Sequence, residues 1–197
     1  MKRLIFLMLT AFLIHFQALA QLPPNLPKNA LGDSLRKSPK LRVIAHNYGD
    51  SVVLRWAPTE PLFWKAANKA GYVVKRYTLV GKNIPRNTQP QILAQQPVKP
   101  WPLEEWKQRS KPQDSLAAAC AQLLHGKTRT VNLSKGLNLE EAFNQKIENE
   151  NRHSLSLYLA DVSAFYATGL GLRWVDKTFE KGKTYVYVVY ALTDKKQ

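Results

Sequence analysis

One segment near the end of the sequence constrains the fold more than any other. Residues 184–192 predict a strand whose side chains are apolar on both faces: Tyr185 and Val189 share one face, and Val186 and Val188 share the other. A sheet strand with one wet side alternates apolar and polar residues instead. This strand therefore needs cover on both faces, and we expect helices from elsewhere in the chain to cover the outer one.

Other strands are predicted on both sides of a central block. Residues 40–46 and 51–57 are rich in β-branched residues, and the turn residues Asn47-Tyr-Gly-Asp50 separate them, which predicts a hairpin. Residues 71–80 and 172–176 also predict strands.

Helical periodicity dominates the block between these strands. Four helices are predicted there, over residues 102–109, from an Asp114 cap to Gly126, over residues 138–147 and over residues 155–167. A short helix over residues 58–70, capped by Thr59, precedes the third strand. The strands therefore lie at a distance from one another in the sequence and have to meet in the fold.

Three of the strand segments resemble a fibronectin type III domain, an immunoglobulin-like β-sandwich. Residues 51–56 are similar to its second strand, residues 71–77 to its third, and residues 179–191 to the turn and sixth strand. The resemblance implies that Trp56 packs between two sheets and that Tyr185 is the corner tyrosine. These residues are 129 positions apart, whereas a compact domain of this kind has about 100 residues in all.

The fold class expected from this resemblance is mainly β. It is a fibronectin type III-like sandwich, occupying residues 41–197, with a helical block inserted at about residues 101–170. The pattern is similar to that of exported bacterial proteins in which such a domain carries an insertion. A complete sandwich needs a seventh strand, but the residues after Leu192 are few and charged. We expect a fragment of a longer protein, the alternatives being a partner strand or the chain's own leader at the open edge.

The start of the chain predicts export. Lys2 and Arg3 precede an apolar run, and Ala18-Leu-Ala20 suits cleavage, so residues 1–20 are predicted to be a signal peptide, too short to span a membrane. Residues 21–40 contain four prolines and predict an extended leader. The expected location is periplasmic, outer-surface or extracellular, with a chain that is soluble after cleavage.

The charge and the cysteine content limit the classes of partner that are expected. The formal charge of +15 falls to +13 without the signal peptide, but the basic residues are dispersed, so no nucleic-acid partner is expected. Cys120 is the sole cysteine, which excludes an intramolecular disulfide, and its alanine neighbours predict a buried helix position. The expected partners are envelope proteins, with a glycan as the other class.

The sequence contains no motif for catalysis, a cofactor or a metal. His46, His125 and His153 lack ligand-like spacing and are expected at the surface or at helix caps. We therefore predict a protein that is not an enzyme.

Four aromatic residues are the candidates for a binding surface. Trp101 and Trp106 lie among prolines, and Phe63 and Trp64 lie in the short first helix. They either stack on a sugar or peptide, or pack the insertion onto the sheets. The predicted function is an exported, non-enzymatic envelope or surface module for protein–protein interaction, adhesion or scaffolding. The alternative is a carbohydrate-binding accessory module or a fragment of a glycan-active enzyme.

Overall fold

The computed structural model describes residues 40–81, 89–127 and 139–193, which belong to one compact unit, Pro39–Gln197. The predicted signal peptide and all but the last residue of the predicted leader lie outside the described residues. Of the described residues, 43% are helical and 26% are in strands. The fold is mixed α and β, so the prediction of a mainly β protein is wrong, because the inserted helices outweigh short strands.

Two small antiparallel sheets are formed by the six strands of the described residues. Sheet A has the order β1 (Leu41–Asn47), β2 (Val52–Pro58) and β5 (Arg173–Asp176). Sheet B has the order β4 (Gln91–Ile92), β3 (Tyr72–Thr78) and β6 (Tyr185–Ala191). Each sheet thus combines strands that precede the helical block with a strand that follows it, as predicted.

The predicted hairpin is confirmed by the pairing of β1 with β2. Val43 is paired with Trp56, and Ala45 with Leu54. The connecting turn needs a glycine, since Gly49 has a φ of 89° and its N–H donates to Asn47 Oδ1 at 2.7 Å.

Five helices complete the described part of the chain. They are α1 (Pro61–Ala70), α2 (Leu103–Arg109), α3 (Ser115–His125), α4 (Leu139–Val162) and α5 (Ala164–Gly169). Asp114 caps α3 as predicted, because its Oδ1 accepts from the N–H of Ala117 at 2.9 Å. The predicted Thr59 cap of α1 is wrong, since Glu60 occupies the cap position and a proline begins the helix.

α4 joins two segments that the sequence predicts as separate helices. It runs for 24 residues without interruption, because no proline or glycine lies between residues 147 and 155. Its buried face includes the polar residues Asn149, His153 and Ser156, which hide the apolar periodicity. Ser163 then begins α5, its hydroxyl accepting from the N–H of Phe165 at 3.1 Å.

Both sheets contribute side chains to one shared core. The ring centroids of Trp56 in β2 and Tyr72 in β3 are 5.5 Å apart, and both side chains are buried. Val189 of β6 belongs to the same core. Strands distant in sequence therefore meet around Trp56.

The helices pack against sheet A and the adjoining end of the core. His153 of α4 donates to the carbonyl oxygen of Pro58 at 2.9 Å, and Arg55 of β2 pairs with Asp161 at 2.9 Å. The outer face of β6 is not covered as expected, because Val188 and Tyr190 are 38% and 37% exposed. The inserted helices thus leave sheet B open on its outer side.

Candidate protein-binding site

One edge of sheet B presents unpaired backbone groups. The N–H of Leu192 donates to the carbonyl of Gly71 at 2.9 Å, and the N–H of Leu79 donates to the carbonyl of Thr184 at 2.8 Å. Hydrogen-bonded pairs alternate in an antiparallel ladder, so the even-numbered residues of β6 bond to β3. The backbone groups of Tyr187 and Val189 therefore point to the other edge, where no strand of the described residues pairs.

The inner face of β1, beside this edge, is only partly covered. Side chains of paired residues lie on the same face of a sheet, so Val43 and Ala45 point inward with Trp56 and Leu54. Trp56 and Leu54 are 2% and 0% exposed, whereas Val43 is 36% exposed and Ala45 is also exposed. Among the described strands, sheet B ends at β6, which approaches β1 without pairing with it, so no further strand of sheet B covers this face.

We name this feature the strand groove. It consists of the free edge of β6 together with the inward-facing Val43 and Ala45 of β1. It offers backbone donors and acceptors on one wall and small apolar side chains on the other. An extended polypeptide segment matches both properties, because it can pair with the edge and bury every second side chain.

A buried ion pair joins the two sheets away from the groove. Asp176 of β5 accepts through Oδ2 from Arg76 Nη1 at 2.6 Å and from the Tyr187 hydroxyl at 2.9 Å. Its Oδ1 accepts from both the N–H and the hydroxyl of Thr178, each at 2.8 Å. Arg76 also donates to the side-chain carbonyl of Gln91. We call this set of five residues the Asp176 network.

The environment keeps Asp176 charged. Burial by itself raises the pKa of Asp176, but the hydrogen bonds from Thr178, Tyr187 and Arg76 outweigh it and hold the pKa below its ordinary value. Burial raises the pKa of the Tyr187 phenol, and its bond to Asp176 raises it further. The network therefore joins β5 to β3 and to β6, the strand whose edge forms one wall of the strand groove.

Sequence reasoning missed this network, although a signal for it exists. Arg76 follows Tyr72 and Val74 at alternate positions of one strand, so the pattern already placed a charge on the inner face. An inward-facing arginine needs a buried acidic partner. That partner, Asp176, lies 100 residues away in the sequence and could be identified only from the fold.

The structure places most of the predicted aromatic surface in the interior. Phe63, Trp64 and Trp106 are buried, at 8%, 3% and 2% exposure, and only Trp101 is partly exposed. The ring of Trp64 lies 6.0 Å from that of His153. The burial of these side chains favours the packing alternative.

Trp101 and Trp106 are brought together as part of one aromatic cluster. Their ring centroids are 5.1 Å apart and meet edge to face, and Phe165 contacts both rings. A side chain at Gly169 would not fit, since a Cβ atom there would lie 2.4 Å from Trp106. Because Trp106 belongs to α2 and Phe165 to α5, the cluster packs these two helices together.

A cleft of about 660 Å³ lies beside this cluster, between α2 and α3. Two of its titratable side chains make structural hydrogen bonds. Asp114 accepts from the N–H of Ala117 and from the Tyr166 hydroxyl, and His125 donates to the Trp101 carbonyl at 2.8 Å. Asp114 and His125 therefore take part in packing the helices around the cleft.

The remaining candidates for chemistry are also accounted for by structure. His46 is exposed and His125 ends α3, as expected, but the prediction for His153 is wrong because its ring is buried and bonded to Pro58. Cys120 is fully buried, as predicted, and burial raises the pKa of its thiol to about 12. In the described ranges, no group of three or more His, Cys, Asp or Glu residues is arranged to hold a metal.

A comparison of the chain with models of known protein families, with curated proteins and with solved structures finds no match. Among the helices described, none combines the length and the apolar character that crossing a membrane requires. The function is therefore inferred from the geometry of the described residues.

Proposed function

We propose that this chain is an exported, non-enzymatic module of the cell envelope or surface that binds another protein by accepting an extended segment in the strand groove. One observation carries the proposal. Val43 and Ala45 are exposed although their paired neighbours Trp56 and Leu54 are buried, and the unpaired edge of β6 lies beside them. Backbone bonds to such an edge supply affinity, and the alternate side chains supply specificity.

The strand order supports a fibronectin type III-like sandwich as the scaffold. In immunoglobulin-type sandwiches strands A, B and E share one sheet, and strands C, F and G share the other. Sheet A fits the positions A, B and E, while β3 and β6 fit C and F. The position of strand G, beside β6 and opposite β1, coincides with the strand groove.

The environment of Tyr185 supports the same scaffold. Its hydroxyl accepts from the N–H of Glu180 at 2.9 Å, five residues upstream. A corner tyrosine near the start of the sixth strand makes a bond of this kind to the backbone. In this proposal the helical insertion is an elaboration of the domain, held by the Trp101–Trp106 cluster.

Export is the second half of the proposal. The charged start, the short apolar run and the small residues before Gln21 support a signal peptide. Proteins of the envelope are often assembled by donation of a strand, which fills an edge that would otherwise promote aggregation. The partner in this proposal is another envelope protein.

The carbohydrate alternative has less support from the geometry. Only Trp101 of the four aromatic residues is accessible, and the guanidinium of Arg109 lies over its ring, 5.0 Å from the centroid. A sugar stacked on that face would have to displace the cation.

The test uses a photo-reactive amino acid in the strand groove. It replaces Ala45, which points into the groove, or Ile44, which points outward from the same strand and is 71% exposed. In cells that export the chain, we expect position 45 to cross-link to one segment of an envelope protein, about tenfold more than position 44. Equal yields from both positions would contradict the proposal.

Amide hydrogen exchange on the purified chain provides the second measurement. The amides of Val188 and Tyr190 bond to β3 and should exchange slowly, whereas those of Tyr187 and Val189 should exchange fast. Binding of the cross-linked segment as a peptide should slow only the second pair. Slow exchange of Tyr187 and Val189 in the free chain would show that the edge is already covered, which also contradicts the proposal.

A further inference from the structure

The outward face of α4 is unusually apolar for a helix at the surface. The opposite face is packed into the protein through residues such as His153, Leu159 and Ala160. Six large apolar side chains lie on the outward face with 38% to 75% of their surface exposed: Leu139, Phe143, Ile147, Leu155, Tyr158 and Val162. At about 100° per residue they fall within roughly 160° of the helix circumference, so they form one stripe.

The apolar positions of the stripe are spaced nearly symmetrically along the helix about its centre. Asn151, which is exposed, lies in the middle, and the apolar residues stand 12, 8 and 4 positions before it and 4, 7 and 11 positions after it. A two-fold interface uses the same patch on both copies, so each residue must meet its counterpart across the axis. In an antiparallel pair of α4 helices, apolar residues meet apolar residues when their positions are spaced alike before and after the axis.

We propose that the chain forms a two-fold dimer in which α4 packs antiparallel against α4 of a second copy. Leu139 then packs near Val162 of the other copy, and Phe143 near its Tyr158. The two Asn151 side chains meet at the axis, where paired amides can fix the register. This proposal is independent of the function proposed for the strand groove.

The available area is sufficient for a stable dimer. α4 has 24 residues and is therefore about 36 Å long. Phe143 and Tyr158 each have about 150–250 Å² to bury and the four aliphatic side chains have less, so the six half-exposed side chains supply on the order of 500 Å² per copy. The two copies together bury roughly 1,000 Å², the smallest area expected of a biological interface.

The charges beside the stripe favour a second copy over an anionic lipid surface. Glu140, Glu150 and Asp161 lie on or next to the outward face, where negative lipid headgroups would repel them. In the antiparallel dimer Glu140 and Asp161 lie at the two ends of the stripe, and Asp161 is already paired with Arg55. The rim of an interface is solvated, so carboxylates are tolerated there.

Sedimentation of the mature chain at micromolar concentration tests the dimer. We expect the unmodified chain to sediment as a dimer and Tyr158→Asp to weaken association by about a hundredfold, because a carboxylate would be placed on the stripe. Tyr48→Asp is the matched control, since Tyr48 is 64% exposed like Tyr158 at 65% but lies outside α4. A monomeric unmodified chain, or equal effects of both variants, would overturn the proposal.

Disulfide trapping tests the antiparallel arrangement. Asn151→Cys lies on the proposed axis and should give a covalent dimer under mild oxidation, whereas Tyr48→Cys should not. Cys120 is fully buried and does not interfere. If Asn151→Cys stays monomeric, or if the chain floats with vesicles of phosphatidylcholine and phosphatidylglycerol through this stripe, the dimer proposal is wrong.

Discussion

Two regions of the sheets show opposite relations between polarity and burial. On the side of β5 and β3, Asp176 and Arg76 carry full charges, yet their side chains are only 0% and 7% exposed. On the side of β1 and β6, Val43 and Ala45 are apolar but exposed. The first side is closed and satisfied within the chain, whereas no further described strand lies beside the second.

This difference shows that the number of strands, more than the character of the side chains, decides what is buried. The strand β5 brings its carboxylate over β3, so the charge of Arg76 is compensated. No described strand occupies the corresponding position beside β6. The inward-facing apolar side chains of β1 therefore stay exposed. The closed side gives the module its stability, and we infer that the open side gives it a partner.

The largest effect is expected from breaking the closed side. Asp176→Asn leaves the guanidinium of Arg76 buried without a counter-charge, which should lower the free energy of unfolding by about 3–5 kcal/mol. Urea denaturation of the chain without residues 1–20 measures this loss. Glu104→Gln is the control, because the Glu104–Lys107 pair is exposed and should contribute less than about 1 kcal/mol. Similar losses in both variants would show that the network is not desolvated.

The next effect compares the paired residues of β1 and β2. Leu54→Ala should cost about 2–5 kcal/mol, because Leu54 is fully buried between the sheets. Val43→Ala, on the same inner face, should cost less than about 1 kcal/mol, since a half-exposed side chain loses little burial. Urea denaturation distinguishes the two. A large loss for Val43→Ala would mean that the groove is filled in solution.

Much of this fold could be predicted from local patterns in the sequence. The hairpin, the strands around Tyr72 and Val189, and the cap at Asp114 are all set by residues within a few positions of each other. The continuity of α4 could not be predicted, because its buried residues near His153 are polar.

Contacts between residues that are far apart in the sequence could not be predicted. The partner of Arg76 lies 100 positions away, and the exposure of Val43 depends on the strand order, in which no described strand follows β6. The four aromatic candidates for binding could equally be packing residues, and only the fold shows three of them buried. Alternation predicts a face, but the neighbouring strands decide whether that face is covered.

Two tyrosines of β6 provide a finer comparison of strong and weak hydrogen bonds. The hydroxyl of Tyr187 donates to the buried charge of Asp176, so Tyr187→Phe should cost about 1.5–3 kcal/mol. The hydroxyl of Tyr185 accepts from the exposed N–H of Glu180, which water can replace, so Tyr185→Phe should cost about 0.5–1 kcal/mol. Both variants keep the ring, so thermal unfolding isolates the hydroxyl. The reverse order would place Asp176 in contact with water.

The smallest effect is the part of the stability that depends on pH. Because the folded protein holds the pKa of Asp176 below its ordinary value, the unfolded chain takes up the proton first as the pH falls. The contribution of Asp176 is therefore complete above the unfolded value of about 4 and is lost below it, as the pH passes through the folded pKa. The difference in unfolding free energy between the unmodified chain and Asp176→Asn should stay constant from about pH 5 to 8 and shrink below about pH 4. A difference that grew on acidification would mean that Asp176 is neutral in the fold, and the buried guanidinium of Arg76 on the closed side would then have no counter-charge.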